Sequence, residues 1–174
     1  MKTLKDYIRN VPDFPKPGIG FKDITTLIGH GEVFHQAVDA LAAQFEADKI
    51  DKIVGIEARG FIFAAALAYK WKKSFIPVRK PGKLPAKTIS EEYDLEYGTD
   101  KVEMHQDAIQ TGDRILIIDD LMATGGTVQA CTRLVEKLGG VVAGIGFLIE
   151  LTFLNGRSRL TGYPVSSILS FDSE

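Results

Sequence analysis

Ile115 to Thr127 reads ILIIDDLMATGGT. After Arg114 its first part is a continuous apolar run, the pattern of a strand buried on both faces, as strands of parallel sheets are. Two adjacent carboxylates, Asp119 and Asp120, close that run. A turn of small and hydroxyl residues then leads into a helix with Val128, Cys131, Leu134, Val135 and Leu138 on one stripe, ended by Gly139 and Gly140 as a C-cap. Gly125 and Gly126 let the backbone curl until several N–H groups converge, Thr124 and Thr127 add hydroxyl donors, and the helix start contributes the positive end of its dipole. The turn from Ala123 to Thr127 therefore reads as a cradle for a phosphate monoester. It is not a Walker loop, since GxxxxGK followed by Ser or Thr is absent, and the dinucleotide fingerprint GxGxxG is absent as well. Asp119 and Asp120 suit the hydroxyls of a sugar, met directly or through the hydration shell of Mg²⁺, and they suit a cationic transition state.

Outward from this unit, strand and helix patterns alternate. KIVGI (Lys52 to Ile56) is a short apolar strand, closed by the loop EARG and followed by FIFAAALAYKWK, whose alanines favour a helix. FIPVRK (Phe75 to Lys80) is a further strand, and VVAGIGFLIEL and PVSSILSF are two more. Phe34, Val38, Leu41 and Phe45 are spaced four, three and four apart, which predicts an amphipathic helix from Val33 to Asp48. The order predicts an α/β fold with an open, mostly parallel sheet flanked by helices and a ligand crevice at the carboxyl ends of the strands.

With 45% of its 174 residues apolar, the chain is long enough for one sizeable core and too short for two ordinary ones, so a single domain spanning 1–174 is expected. The 21 Lys and Arg nearly cancel the 23 Asp and Glu, which argues against nucleic acid or an anionic membrane as a partner and requires any anion to be captured locally. Cys131 has no cysteine to pair with and sits on an apolar helical stripe, where it reads as a core residue. MKTLKDYIRN lacks the apolar stretch of a signal peptide, and the apolar runs Phe61 to Tyr69 and Val141 to Ile149 are about half the length that crosses a bilayer. A reducing cytoplasm is the expected location. His30, His35 and His105 lack metal-ligand spacing, so no metal is expected to be held by the protein alone.

Two segments break the alternation. VPDFPKPGIGFKDITTL packs three prolines and two glycines around aromatic residues, too irregular for a helix and too apolar for a free tail, and is expected to fold over something. Lys80 to about His105 is a polar stretch that predicts a loose hairpin with few core residues, of the length that serves as a lid or binding loop. Lys87 and Lys101 within it are expected to be solvated.

The four apolar residues, Asp-Asp and ATGGT together resemble the phosphoribosyl pyrophosphate signature of the type I phosphoribosyltransferases. FPKPGI with FKDIT at Phe14 to Thr25, GIEARGFIF at Gly55 to Phe63, PVRKPGKLP at Pro77 to Pro85 and YDLEYGTD at Tyr93 to Asp100 resemble the adenine-specific branch, in the right order and over nearly the whole chain. The resemblance implies the type I phosphoribosyltransferase fold, with an N-terminal hood over about 1–30 and a flexible active-site loop over about 80–105. It implies an enzyme of purine salvage that transfers the phosphoribosyl group from phosphoribosyl pyrophosphate to adenine, with Mg²⁺ carried by the substrate near Asp119 and Asp120, releasing AMP and pyrophosphate.

The same resemblance assigns roles. Asp119, Asp120, Ala123, Thr124, Gly125, Gly126 and Thr127 take the ribose 5-phosphate. Glu57, Ala58 and Arg59 take pyrophosphate through backbone donors and the guanidinium, with a cis peptide between Glu57 and Ala58. Arg79, Lys80 and Lys83 add charge beside that loop, and Arg79 acts on the neighbouring site of a homodimer. Glu96 is the general acid/base, with Arg59 the second catalytic residue, and Tyr97 covers the site. Phe14 and Gly20 belong to the hood, where backbone groups near Gly20 read the N6 donor and N1 acceptor of adenine. The chain departs from the family pattern at Ala64 and Ala66, where Gly and Pro are usual, and at Gly20, which replaces a larger apolar residue. Two other readings compete: a regulator that uses the phosphate loop only for sensing, disfavoured by the absence of a DNA-binding extension, and the same reaction on hypoxanthine, guanine or xanthine, disfavoured by the FPKPGI hood.

Overall fold

The computed structural model describes residues 2–94 and 98–173. In chain order its elements are β1 (Arg9–Val11), β2 (Phe21–Asp23), α1 (Thr25–Ile28), α2 (Gly31–Ala42), β3 (Lys52–Ile56), α3 (Gly60–Trp71), β4 (Ser74–Val78), β5 (Thr88–Asp94), β6 (Thr99–His105), β7 (Arg114–Met122), α4 (Gly126–Lys137), β8 (Val141–Leu151) and β9 (Val165–Phe171). Five strands form a parallel sheet in the order β4-β3-β7-β8-β9. This is the expected α/β architecture.

Strand β7 shows why its sequence is continuously apolar. Ile115 and Ile117 pack into the core beneath α4, whereas Leu116 and Ile118 pack into the core beneath α2 and α3. Both faces of the strand are thus covered, and a polar residue at any of these positions would be buried without a partner. Its C-terminal end carries Asp119 and Asp120 to the sheet edge from which the crevice opens. Among the described residues no helix is long and apolar enough to cross a membrane.

Two expectations change. Helix α2 stops at Ala42 rather than running to Asp48, because the chain tightens there: the Gln44 and Phe45 N–H groups donate to the Leu41 and Ala42 carbonyls. Phe45 keeps its place in the core from the turn, with its ring where side chains on Gly144 and Gly146 would otherwise sit. The stretch after Lys80 is not a loose, coreless hairpin. Strands β5 and β6 pair in antiparallel register from Thr88↔His105 to Asp94↔Thr99, and Tyr93, Val102 and Met104 are buried in the core under α4. Alternation of apolar Val102 and Met104 with charged Lys101 and Glu103 was the signal for this, obscured by its shortness.

The N-terminal segment packs against the helices on one face of the sheet. β1 and β2 pair, Arg9 bonds Asp23 on β2 at 2.5 Å, and Ile24 and Leu27 anchor the segment in the core. The Ala64 departure also has a structural context. Ala64 is fully buried and lies where a side chain on Gly55 of β3 would have to go, so helix α3 packs closely on the strand that leads to the site.

Candidate active site

Two cavities lie at the carboxyl ends of β3 and β7, and they share Asp119 and Thr127. The smaller, of about 90 Å³, is walled by Leu121 to Val128 and Phe147. It is the turn expected to cradle phosphate. Gly125 has φ +81°, and a Cβ there would lie 2.6 Å from the Gly156 carbonyl oxygen, so only glycine fits both the conformation and the space. Gly156 is itself confined, since a side chain on it would strike the Ala123 carbonyl. Helix α4, twelve residues long, starts from this turn and points its N-terminus into the cavity.

The larger cavity, of about 190 Å³, is lined by Glu57, Ala58, Arg59, Arg79, Lys80, Tyr93, Asp119 and Asp120 among others. The Glu57–Ala58 peptide is cis, as the resemblance implied. Here the charges are paired inside the chain. Glu57 accepts from Arg79 Nη2 at 2.9 Å, from Arg79 Nε at 3.2 Å, from Lys83 Nζ at 2.9 Å and from the Lys80 N–H at 3.1 Å. Hydrogen bonds from Arg79 above all, with Lys83 and Lys80 adding to them, hold the Glu57 carboxyl down at about 2. Arg59 Nη2 lies 2.8 Å from Asp120 Oδ2, its Nη1 donates to the Lys22 carbonyl at 3.2 Å, and its guanidinium lies 4.7 Å from the centre of the Phe21 ring. Arg59 thereby joins the hood to the carboxylate pair.

Asp119 and Asp120 behave oppositely to Glu57. Burial pushes Asp119 well above the usual carboxylate range, and the neighbouring Asp120 charge pushes it further. Burial raises Asp120 too, against the pull of Arg59. Two adjacent carboxylates enclosed with one guanidinium are short of positive charge or hydroxyl donors, and a sugar's hydroxyls would supply the latter. Cys131 is buried, and burial pushes its thiol far up, which fits a core residue. Among the described residues no group of three or more His, Cys, Asp or Glu could hold a metal.

A model of the phosphoribosyl transferase domain family matches residues 26–160. An adenine phosphoribosyltransferase of Solibacter usitatus is 58% identical over 172 residues, covering 99% of each chain. The chain belongs to the adenine phosphoribosyltransferase family. A crystal structure of the family member from Thermoanaerobacter pseudethanolicus superposes with a TM-score of 0.94 at 53% identity, covering 97% of this chain and 100% of that one. The Saccharomyces cerevisiae enzyme, solved with an imino-altritol bisphosphate and adenine, superposes with a TM-score of 0.91 at 39% identity, covering 95% of this chain and 96% of that one.

Against this family background, the sequence-predicted residues fall into three groups. Ala123 to Thr127 gather round the small cavity, and Glu57, Ala58, Arg59, Arg79, Lys80, Asp119 and Asp120 line the large one, with Lys83 tied to it through Glu57. Phe14 and Gly20 lie apart from both linings. Phe14 is half exposed and meets Phe21 edge to face at 5.0 Å, while Gly20 lines a hood cavity of about 210 Å³ with Asn10, Pro12, Asp13, Gly18 and Ile19. The hood touches the site instead through Phe21 and the Lys22 carbonyl. Glu96 and Tyr97 lie outside the described residues.

Sequence reading also missed partners. Tyr93, buried on β5, lines the large cavity and donates its hydroxyl to Asp100 at 3.2 Å. Gly60, which the sequence places in the EARG loop, has the further role of letting Asp119 approach, because a Cβ there would lie 2.7 Å from Asp119 Oδ1. Gly156 backs the phosphate turn from a segment about thirty residues on, where no motif marks it.

Proposed function

We propose that the chain transfers the phosphoribosyl group of phosphoribosyl pyrophosphate to adenine, giving AMP and pyrophosphate in purine salvage, with the two cavities dividing the substrate between them. The observation that carries this reading is their junction at Asp119 and Thr127. A backbone-lined cavity sized for a phosphate opens beside a cation-lined one, which is the order of groups along phosphoribosyl pyrophosphate. The 5-phosphate occupies the Ala123–Thr127 turn, where N–H groups and the Thr124 and Thr127 hydroxyls donate to it. Asp119 and Asp120 accept from the ribose hydroxyls and face the positive charge that develops on the ring as the C1′ bond to pyrophosphate lengthens. Arg59, Arg79, Lys80 and Lys83 receive the leaving pyrophosphate. The C1′–oxygen bond breaks, the bond from adenine N9 to C1′ forms, and adenine gives up a proton, which Glu96 manages at the purine ring.

Phosphoribosyltransferases use their substrate with a divalent metal, and Mg²⁺ is the ion proposed here. Two enclosed carboxylates with no third ligand beside them among the described residues fit a metal held mostly by the substrate's own oxygens and water, with Asp119 and Asp120 within reach of that shell. When bound, it supplies charge neutralisation for the pyrophosphate. The single domain, hood and active-site loop assigned above, and a cytoplasmic setting, belong to the same reading. So does a homodimer: Tyr69 is 89% exposed beside Phe75 on β4, the edge strand of the sheet that leads to Arg79.

Steady-state assays with phosphoribosyl pyrophosphate, Mg²⁺ and each purine in turn test the reading. Turnover is expected with adenine and little with hypoxanthine or guanine; equal turnover of hypoxanthine would overturn the base assignment. Glu96→Gln is expected to lower kcat about 10² to 10⁴-fold while AMP still binds. An unchanged kcat removes Glu96 from the chemistry.

A further inference from the structure

All four cations proposed to meet pyrophosphate are held by carboxylates of the chain itself: Arg59 by Asp120, Arg79 and Lys83 by Glu57, and Lys80 by Asp100. Lys80 differs from the others in where its anchor stands. Glu57 and Asp120 line the large cavity, whereas Asp100 is on β6 of the hairpin and outside that lining. The Lys80 ammonium donates to Asp100 and, at 2.5 Å, to the Tyr93 hydroxyl, which in turn donates to Asp100 at 3.2 Å. Tyr93 is firmly placed: it is buried, and its ring lies 3.5 Å from where a Cβ on Gly126 of the phosphate turn would be. Burial works against the charge on Lys80, and the bonds to Asp100 and Tyr93 more than offset it, raising its pKa. The ammonium is thus fully charged and drawn toward a carboxylate standing behind the cavity wall.

We infer that Asp100 competes with pyrophosphate for Lys80, acting as a positioning residue that draws the ammonium out of the cavity and so weakens the retention of product pyrophosphate. The inference rests on the reading that Lys80 serves pyrophosphate. Its sign separates it from a structural role. A carboxylate that merely braced the hairpin would, when removed, loosen the site and weaken anion binding. A competitor, when removed, leaves Lys80 with only the neutral Tyr93 hydroxyl and takes away a negative charge behind the cavity wall, so binding tightens.

Product inhibition by pyrophosphate, measured on the full chain with Mg²⁺, reads this directly. Asp100→Asn is expected to lower the inhibition constant about threefold, since both partners are partly solvated, and Asp100→Glu to keep the parent value. Lys80→Met should raise the constant, and Asp100→Asn added to Lys80→Met should change nothing further. AMP affinity, which involves no pyrophosphate, is expected to be the same in Asp100→Asn and the parent, and Asp100→Ser is read in the same way should the Asn chain not fold. An unchanged or higher constant for Asp100→Asn, or an equal gain without Lys80, overturns the inference while leaving the proposed function intact. No effect of Lys80→Met on inhibition would instead overturn the pyrophosphate role of Lys80, and the inference with it.

Discussion

Around the small cavity the donors are backbone N–H groups and two threonine hydroxyls, set by glycines that admit no side chain; around the large one they are long cationic side chains, each held by an internal carboxylate. The first site is rigid and carries little charge of its own. The second is charged and must exchange its partners when an anion arrives. For a transfer reaction this division is sensible. The phosphate stays attached to the ribose from substrate to product, so a fixed cradle serves throughout, while pyrophosphate must be held and then let go, which favours cations with an alternative partner at hand.

The strongest way to break the comparison is Gly125→Val. At φ +81° a β-branched residue is strained by about 1 to 3 kcal/mol, and its Cβ would crowd the Gly156 carbonyl. Affinity for phosphoribosyl pyrophosphate is expected to fall on the order of 100-fold, with inhibition by free pyrophosphate changing far less. If both fall together in calorimetric titrations, the two cavities are not independent and the contrast fails.

These two regions were also unequally legible from sequence, for the same physical reason. The cradle is local: strand, carboxylates, glycines and helix start lie within Ile115 to Thr127, so pattern and chemistry are read in one place. The cation side is assembled from distant parts. Glu57 meets Lys83 twenty-six residues on, and Lys80 meets Asp100 across twenty. The family resemblance picked out the basic residues, but nothing in the sequence shows that Glu57 would spend its carboxylate on them. Tyr93 was hidden by the acidic residues flanking it, although a strand with one face on α4 and the other in solvent has just that composition. The hood departed most: its contact with the site runs through Phe21 and a backbone carbonyl, and backbone contacts leave no trace in residue identity.

A smaller effect sharpens the contrast where the cavities meet. Burial raises Asp119 above its ordinary value of 3.8, so its ionisation opposes folding at any pH above that value when no ligand is bound. Asp119→Asn keeps the oxygen that accepts the Asp120 N–H at 2.8 Å and removes the charge. Thermal unfolding of the ligand-free variant should come about 2 to 4 °C higher, for a gain of about 1 kcal/mol. Its kcat/KM should fall about 10 to 100-fold, since a charged acceptor for ribose is lost. A variant no more stable than the parent would mean that the carboxylate pair is already relieved by its surroundings, and that function there carries no cost in stability.

Glu57 gives the converse and the smallest effect. Arg79, first among its donors, holds its carboxyl at about 2 against an ordinary value of 4.5. A depressed carboxylate stabilises the fold above its unfolded value, and the contribution is lost as pH falls from about 4.5 through about 2. Glu57→Gln removes that dependence. Asp23, also held at about 2, titrates in both chains and cancels in the comparison. Because Arg79 and Lys83 are themselves partly solvated, the difference at neutral pH should be about 1 kcal/mol in favour of the parent, shrinking toward zero in acid. Urea unfolding midpoints at pH 6, 4 and 3 measure it. Two parallel curves would show that the internal anion is not what keeps Arg79 and Lys83 in place, and the second cavity would then be as passive as the first.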